Sequence, residues 1–121
     1  MDGDTKRVVK AHVDTGTRMN ASFVGHANEV FVAAALLKKG IHVFRSMTST
    51  SPFDLVAYVE GRLFGLEVRS ATIEGGRWVF QTPDRSGVDV VCAVTWDGRI
   101  HFKPMGHCSR WWPVYLTGTM D

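Results

Sequence analysis

The chain has 121 residues, 45% hydrophobic and 21% charged, the balance of one ordinary globular domain long enough to bury a core without staples. A formal charge of +2 excludes a polybasic protein, so any nucleic-acid affinity must come from a local patch. Cys92 and Cys108, the only cysteines, have the spacing of neither a metal site nor a disulfide framework, and no apolar run approaches the roughly 20 residues of a membrane helix; free thiols in an intracellular protein away from membranes are expected.

Residues 1–17, "MDGDTKRVVKAHVDTGT", show weak periodicity and read as a flexible basic arm, with a short strand around Arg7 to Val13. Residues 18–121 read as a single domain. In "NASFVGHANEVFVAAALLKKG", Phe23, Ala27, Val30, Ala34 and Leu37 recur at helical spacing, and Phe31 and Ala35 widen that face. Thr17 or Asn20 suits the N-cap, Lys38 and Lys39 favour the negative end of the helix dipole, and Gly40 is a C-terminal stop.

"IHVF" (41–44) reads as a strand and "MTSTSP" as a loop. "FDLVAYV" and "RLFGLEV" read as strands joined at Glu60-Gly61, with "GRWVF" as a further strand and "QTPDRSG" as a loop. "VDVVCAVTW" and "RIHFKPM" read as a hairpin through Asp97-Gly98, a dipeptide suited to the tight two-residue turn. "GHCSRWWPVYLTG" adds a last strand or a helical turn. One helix followed by antiparallel-looking strands implies an α+β or mixed α/β layout.

Two carboxylates interrupt the apolar strands. A two-residue turn at Glu60-Gly61 pairs Val59 with Arg62 and Tyr58 with Leu63, and continuing that register sets Asp54 opposite Glu67. Opposed residues share a face, with Cβ atoms about 4.5–5.5 Å apart, and Arg69, two places on, shares it too. Opposed like charges need an offset. Mg²⁺, a hard ion held by one or two carboxylates, supplies one, and an ion pair with Arg69 supplies another; spacing alone does not choose between them.

At these residues the chain resembles the PD-(D/E)xK nuclease superfamily. "SPFDLV" stands where the family has its Pro-Asp element, with Phe53 between Pro52 and Asp54. "EVRSA" stands where many members have Glu-Val-Lys-Ser or Thr, so Arg69 replaces the lysine. The helix resembles the family's opening helix, with Glu29 as its glutamate. "SGVDVVCAVTWDGRIHFKPM" resembles the strand pair that follows the motif in small Holliday-junction resolvases and homing endonucleases of this fold.

The resemblance implies a restriction-endonuclease-like α/β core, a mixed sheet flanked by helices and preceded by the N-terminal helix. It implies phosphodiester hydrolysis in DNA, with Mg²⁺ or Mn²⁺ held by Asp54, Glu67, the carbonyl of Val68 and Glu29, and with Arg69 stabilising charge on the phosphate. Arginine keeps the charge and forks onto phosphate but does not give up a proton. A catalytically inactive DNA-binding or assembly module of the same fold is therefore the alternative. Ser70, Arg77, Gln81, Arg85, Lys38 and Lys39 are candidate nucleic-acid contacts, and two-strand cutting implies a homo-oligomer, a dimer or tetramer. An intracellular, cytoplasmic or nucleoid-associated setting follows.

His101, His107 and Cys108 match no standard zinc spacing. Asp89 reads as a strand-end or edge residue. "RWWPVY" suits core packing as well as base stacking or a subunit interface.

Overall fold

The computed structural model describes residues 21–48, 53–82 and 87–120. The expected arm, the N-cap residues and Arg85 lie outside these ranges. Helix α1 spans Ala21–Lys38. It ends as its sequence dictates: Gly40 takes φ 81°, Gly40 N–H donates to the Leu37 carbonyl at 2.9 Å, and Ile41 N–H donates to the Leu36 carbonyl at 3.1 Å. This is the paired 5→2 and 6→1 closure of a Schellman motif, which needs the left-handed residue that glycine supplies.

The buried face of α1 differs from the expected one. Val32 and Leu36 are fully buried, whereas Phe23, Val30, Phe31 and Leu37 are exposed. Apolar residues lie all round this helix, so periodicity alone leaves its rotation about the axis undetermined. Glu29 lies three, four and seven residues before Val32, Ala33 and Leu36, which places it on the sheet-facing side, half-buried.

Seven strands follow: β1 His42–Arg45, β2 Leu55–Val59, β3 Arg62–Glu74, β4 Arg77–Val79, β5 Val90–Thr95, β6 Ile100–Pro104 and β7 Gly118–Met120. They form one sheet in the order β1-β2-β3-β5-β6-β7, with β4 paired to the far end of β3. The β3–β5 pair is parallel, Leu66 to Ala71 running beside Val90 to Thr95, and the remaining pairs are antiparallel. The sheet is therefore mixed, and α1 precedes it.

Two sequence turns resolve differently. Glu60 and Gly61 both have positive φ, 51° and 82°, as a two-residue primed turn requires, and β2 and β3 pair in the expected register from Val59↔Arg62 to Leu55↔Leu66. At Asp97-Gly98 the loop is one residue longer: Thr95 N–H donates to the Arg99 carbonyl at 2.9 Å, with Trp96, Asp97 and Gly98 between them. Thr95 Oγ1 bonds the Asp97 carboxylate and accepts the Arg99 N–H at 3.0 Å, which closes the longer loop.

The two faces of the sheet are covered by different parts of the chain. One carries Leu55, Ala57, Val59, Phe64, Leu66, Val90, Cys92, Val94, Ile100 and Phe102 in a single core with Val32 and Leu36 of α1. Trp112 closes this core, edge-on to Phe64 at 5.1 Å, with its indole N–H donated to the Leu116 carbonyl at 2.8 Å. Leu116 belongs to a 3-10 turn, Val114–Leu116, that leads into β7. On the other face, with Gly65, Glu67, Val91 and Ala93, β4 and the residue after it lie against β6: Trp78 stacks on His101 at 5.2 Å, and the Lys103 ammonium lies over Phe80. Val91 and Ala93 are fully buried yet stand outside the helix-side core.

Candidate active site

Asp54 immediately precedes the first residue of β2. Its N–H donates to the Leu66 carbonyl at 3.1 Å, although Leu66 is already the pairing partner of Leu55. Phe53 packs its ring on Gly65, so closely that any Cβ there would collide with it. Gly65 lies on the face away from α1, whereas Leu55 lies on the α1 face. Residues two apart in a regular strand share a face. The alternation is therefore broken at Asp54, and the register observed from Val59 to Leu55 does not continue through it.

The break turns the Asp54 carboxylate toward β3. Its Oδ2 accepts the Val68 N–H at 2.9 Å, standing in for the backbone of β2. Its charge is felt on both sides of that bond. Burial first, and the Asp54 charge second, hold the Glu29 carboxyl above its ordinary range; Arg45, 3.6 Å from Glu29, and His26 pull the other way. The Cys92 thiol is pushed far up by burial and then by Asp54.

Glu67 and Arg69 sit differently. They alternate with Leu66 and Val68 along β3, which sends them to the face away from α1, beside Val91 and Ala93. Glu67 is buried and forms an ion pair with Arg69, whose guanidinium is about one-third exposed. Glu29 and Asp54 thus interact electrostatically, Glu67 and Arg69 are paired, and Glu67 points away from the sheet face on which α1 carries Glu29. Among the described residues, Glu29, Asp54 and Glu67 do not close into a group with ligand atoms all within 4.8 Å; Asp89, His107 and Cys108 do.

The remaining candidates are dispersed. Ser70 lies on the α1 side, accepts the Asn28 amide at 3.2 Å, and borders a hollow of about 550 Å³ with Val24, Phe31, Val94 and Trp96. Arg77 and Gln81 are exposed, at the start of β4 and just beyond its end. Lys38 and Lys39 are exposed at the end of α1, about 15 Å along the helix from Glu29 at 1.5 Å per residue.

Asp89 is the strand-end residue expected from the sequence, but its partners were not foreseen. It lies just before β5, its Oδ2 accepts the Gly65 N–H at 2.7 Å, and its Oδ1 bonds His107 Nε2 at 2.7 Å. An aspartate before an apolar run signals a strand end; the parallel pairing that brings it to Gly65 has no local signature.

Both cysteines are buried and neither is in a disulfide, and no described helix is long and apolar enough to cross a membrane. No curated protein matches the chain by sequence. Among solved structures, a bacterial homing endonuclease, I-Ssp6803I, is similar, with a TM-score of 0.59 and 21% identity over 70% of this chain and 65% of that one. That likeness concerns the fold, a restriction-endonuclease-like mixed sheet with a helix before it, and the chain spans less than two thirds of that structure. The sequence model of the PD-(D/E)XK endonuclease family matches residues 19–93, a stretch that holds Glu29, Asp54, Glu67 and Arg69 and most of the chain. The chain belongs to the PD-(D/E)XK endonuclease family.

Proposed function

We propose that this protein is a divalent-metal-dependent DNA endonuclease in which Arg69 does the electrostatic work of the family's lysine. The observation that carries this reading is the bond from Val68 N–H to the Asp54 carboxylate just before β2. In an extended strand the N–H and C=O of one residue point to the same side. The Val68 carbonyl is therefore aimed at the same gap as its N–H, toward Asp54. A carboxylate and a carbonyl on an edge that β2 does not cover are the hard oxygen donors that Mg²⁺ or Mn²⁺ takes. Burial first and the Asp54 charge second raise the Glu29 carboxyl, and a cation between Glu29 and Asp54 would offset both.

The residues present fit such an ion. Asp54 and the Val68 carbonyl would hold it and Glu29 would support it from α1, while Glu67, on the other face of β3 and paired with Arg69, would join only by leaving that ion pair. When bound, the ion supplies a more acidic water and polarises the scissile phosphate. The chain's own part is to fix Asp54 on a backbone N–H, so that its carboxylate stays put, and to present a guanidinium that binds phosphate oxygens in a fork. Ser70, Arg77, Gln81, Arg85, Lys38 and Lys39 are the proposed backbone contacts to DNA. One such site cuts one strand, and a symmetric homo-oligomer provides a second.

Metal-dependent cutting of supercoiled, linear or branched DNA by the wild type, lost in Asp54→Asn, is the expected result. A well-folded wild type that cuts none of these with Mg²⁺ or Mn²⁺ contradicts it. A second reading, a noncatalytic DNA-binding or assembly module, is favoured by one observation: the buried Glu67 is already neutralised by Arg69. DNA binding without cutting, insensitive to Asp54→Asn, supports that reading instead.

A further inference from the structure

We infer that Asp89, His107 and Cys108 form a second metal site, for a borderline-soft ion of the zinc class, separate from the carboxylate site of the proposed nuclease. The three offer one carboxylate oxygen, one imidazole nitrogen and one sulfur, all within 4.8 Å of one another. Two strand ends and a turn build it. Asp89 leads into β5, and His107 and Cys108 lie in the turn that follows β6, where Cys108 N–H donates to the Met105 carbonyl at 3.0 Å.

Each donor is already oriented. Gly65 N–H holds Asp89 Oδ2 at 2.7 Å and leaves Oδ1 turned to His107 Nε2, also at 2.7 Å. A carboxylate fixed by a backbone donor on one oxygen, with the other free to ligate, is how outer hydrogen bonds position metal ligands. The Cys108 thiol donates to the Asp89 carbonyl at 2.7 Å, and that carbonyl also accepts Met105 N–H at 2.8 Å. Sulfur can therefore lose its proton and turn to a metal without leaving the carbonyl unpaired.

The ligand set selects the ion. Thiolate with imidazole disfavours Mg²⁺ and Ca²⁺ and suits Zn²⁺, with a single carboxylate as third ligand and water as the fourth. His107 is more than half exposed, so the ion has an entry path and room for water. Thiolate and neutral imidazole are the ligating forms, so metal binding releases protons and tightens as pH rises. Bound metal would tie the start of β5 to the 105–112 turn, whose Trp112 closes the helix-side core.

The test is titration of the full chain with Co²⁺, and with Zn²⁺ in competition, under a non-thiol reductant. The expected result is one equivalent of Co²⁺ with a near-ultraviolet sulfur-to-cobalt band, displaced by Zn²⁺. Cys108→Ser should abolish that band, and His107→Ala should weaken binding by more than about a hundredfold, beyond the loss that follows removal of an outer partner. Asp54→Asn should leave both intact, which separates this site from the carboxylate site. Absence of stoichiometric binding overturns the proposal, as does a sulfur band that survives Cys108→Ser, or binding lost in Asp54→Asn while His107→Ala keeps it. Circular dichroism of each variant shows that the fold is retained.

Discussion

The Asp54 carboxylate accepts the Val68 N–H at 2.9 Å, a side chain completing a sheet ladder just before a strand begins. One residue thereby holds the edge of β3 in place and puts a fixed negative charge beside it. Structural and chemical consequences of Asp54 substitutions should separate. Asp54→Ala leaves a half-buried backbone donor without its acceptor and should cost about 1–3 kcal/mol of stability. Asp54→Asn keeps an acceptor oxygen and should cost less than half as much, while lowering metal-dependent DNA cleavage at least about a hundredfold. Chemical denaturation of the two variants, with cleavage rates measured beside it, checks both expectations.

Arg69 joins stability to function through Glu67. Removing the guanidinium in Arg69→Ala takes the Arg69 ion pair from a buried carboxylate, and the cost should be about 2–3 kcal/mol, between the limits for exposed and buried pairs because Arg69 is one-third exposed. Arg69→Lys keeps the charge and should fold normally and cleave DNA at least as fast as the wild type. Lysine that abolishes cleavage as fully as alanine would show that the guanidinium fork, rather than its charge, is what the reaction uses.

Glu29 predicts a pH dependence of unusual sign. Its folded-state carboxyl is raised above the ordinary value of 4.5, so the folded chain holds this proton more tightly than the unfolded one. Stability from this group therefore falls as pH rises from 4.5 through the folded value, and ionised Glu29 is a net cost at neutral pH. Glu29→Gln should remove that downward slope and should match or exceed the wild-type melting temperature at pH 7 in the absence of divalent ions. Melting curves of both proteins from pH 4 to pH 8 read the difference.

Gly65 is where backbone meets ring. A methyl group there would collide with the Phe53 ring, so Gly65→Ala should destabilise the protein by about 1–3 kcal/mol as an overpacking change. Phe53→Leu should recover part of the loss in the double variant. Equal melting temperatures for wild type and Gly65→Ala would mean that Phe53 does not hold the position that breaks the strand at Asp54.

The hairpin was legible because its turn was: Glu60-Gly61 sets the register by local backbone chemistry, and the pairs from Val59 to Leu55 follow from it. The position of Asp54 was not, because it depends on Phe53 crossing to the opposite face, and alternation carries no signal for that exception. The parallel pairing of β3 and β5 was hidden for a different reason. β3 runs 13 residues, bends into a short pairing with β4, and the chain then crosses the sheet with no helix among its described residues to announce a crossover. Asp89 became visible as a partner of Gly65 and His107 only through that pairing. The rotation of α1 was illegible because apolar residues surround it; Glu29 was named by the resemblance, and its sheet-facing position follows only once Val32 and Leu36 are seen to be buried.

The measurement that bears most directly on the proposed site is paramagnetic broadening of backbone amide signals as Mn²⁺ is added to the full chain. The account predicts that the first signals lost are those of Asp54, Glu67, Val68 and Glu29, and that Asp54→Asn abolishes their loss. Broadening confined to Asp89, His107 and Cys108, or spread evenly over exposed carboxylates with Val68 untouched, would contradict it.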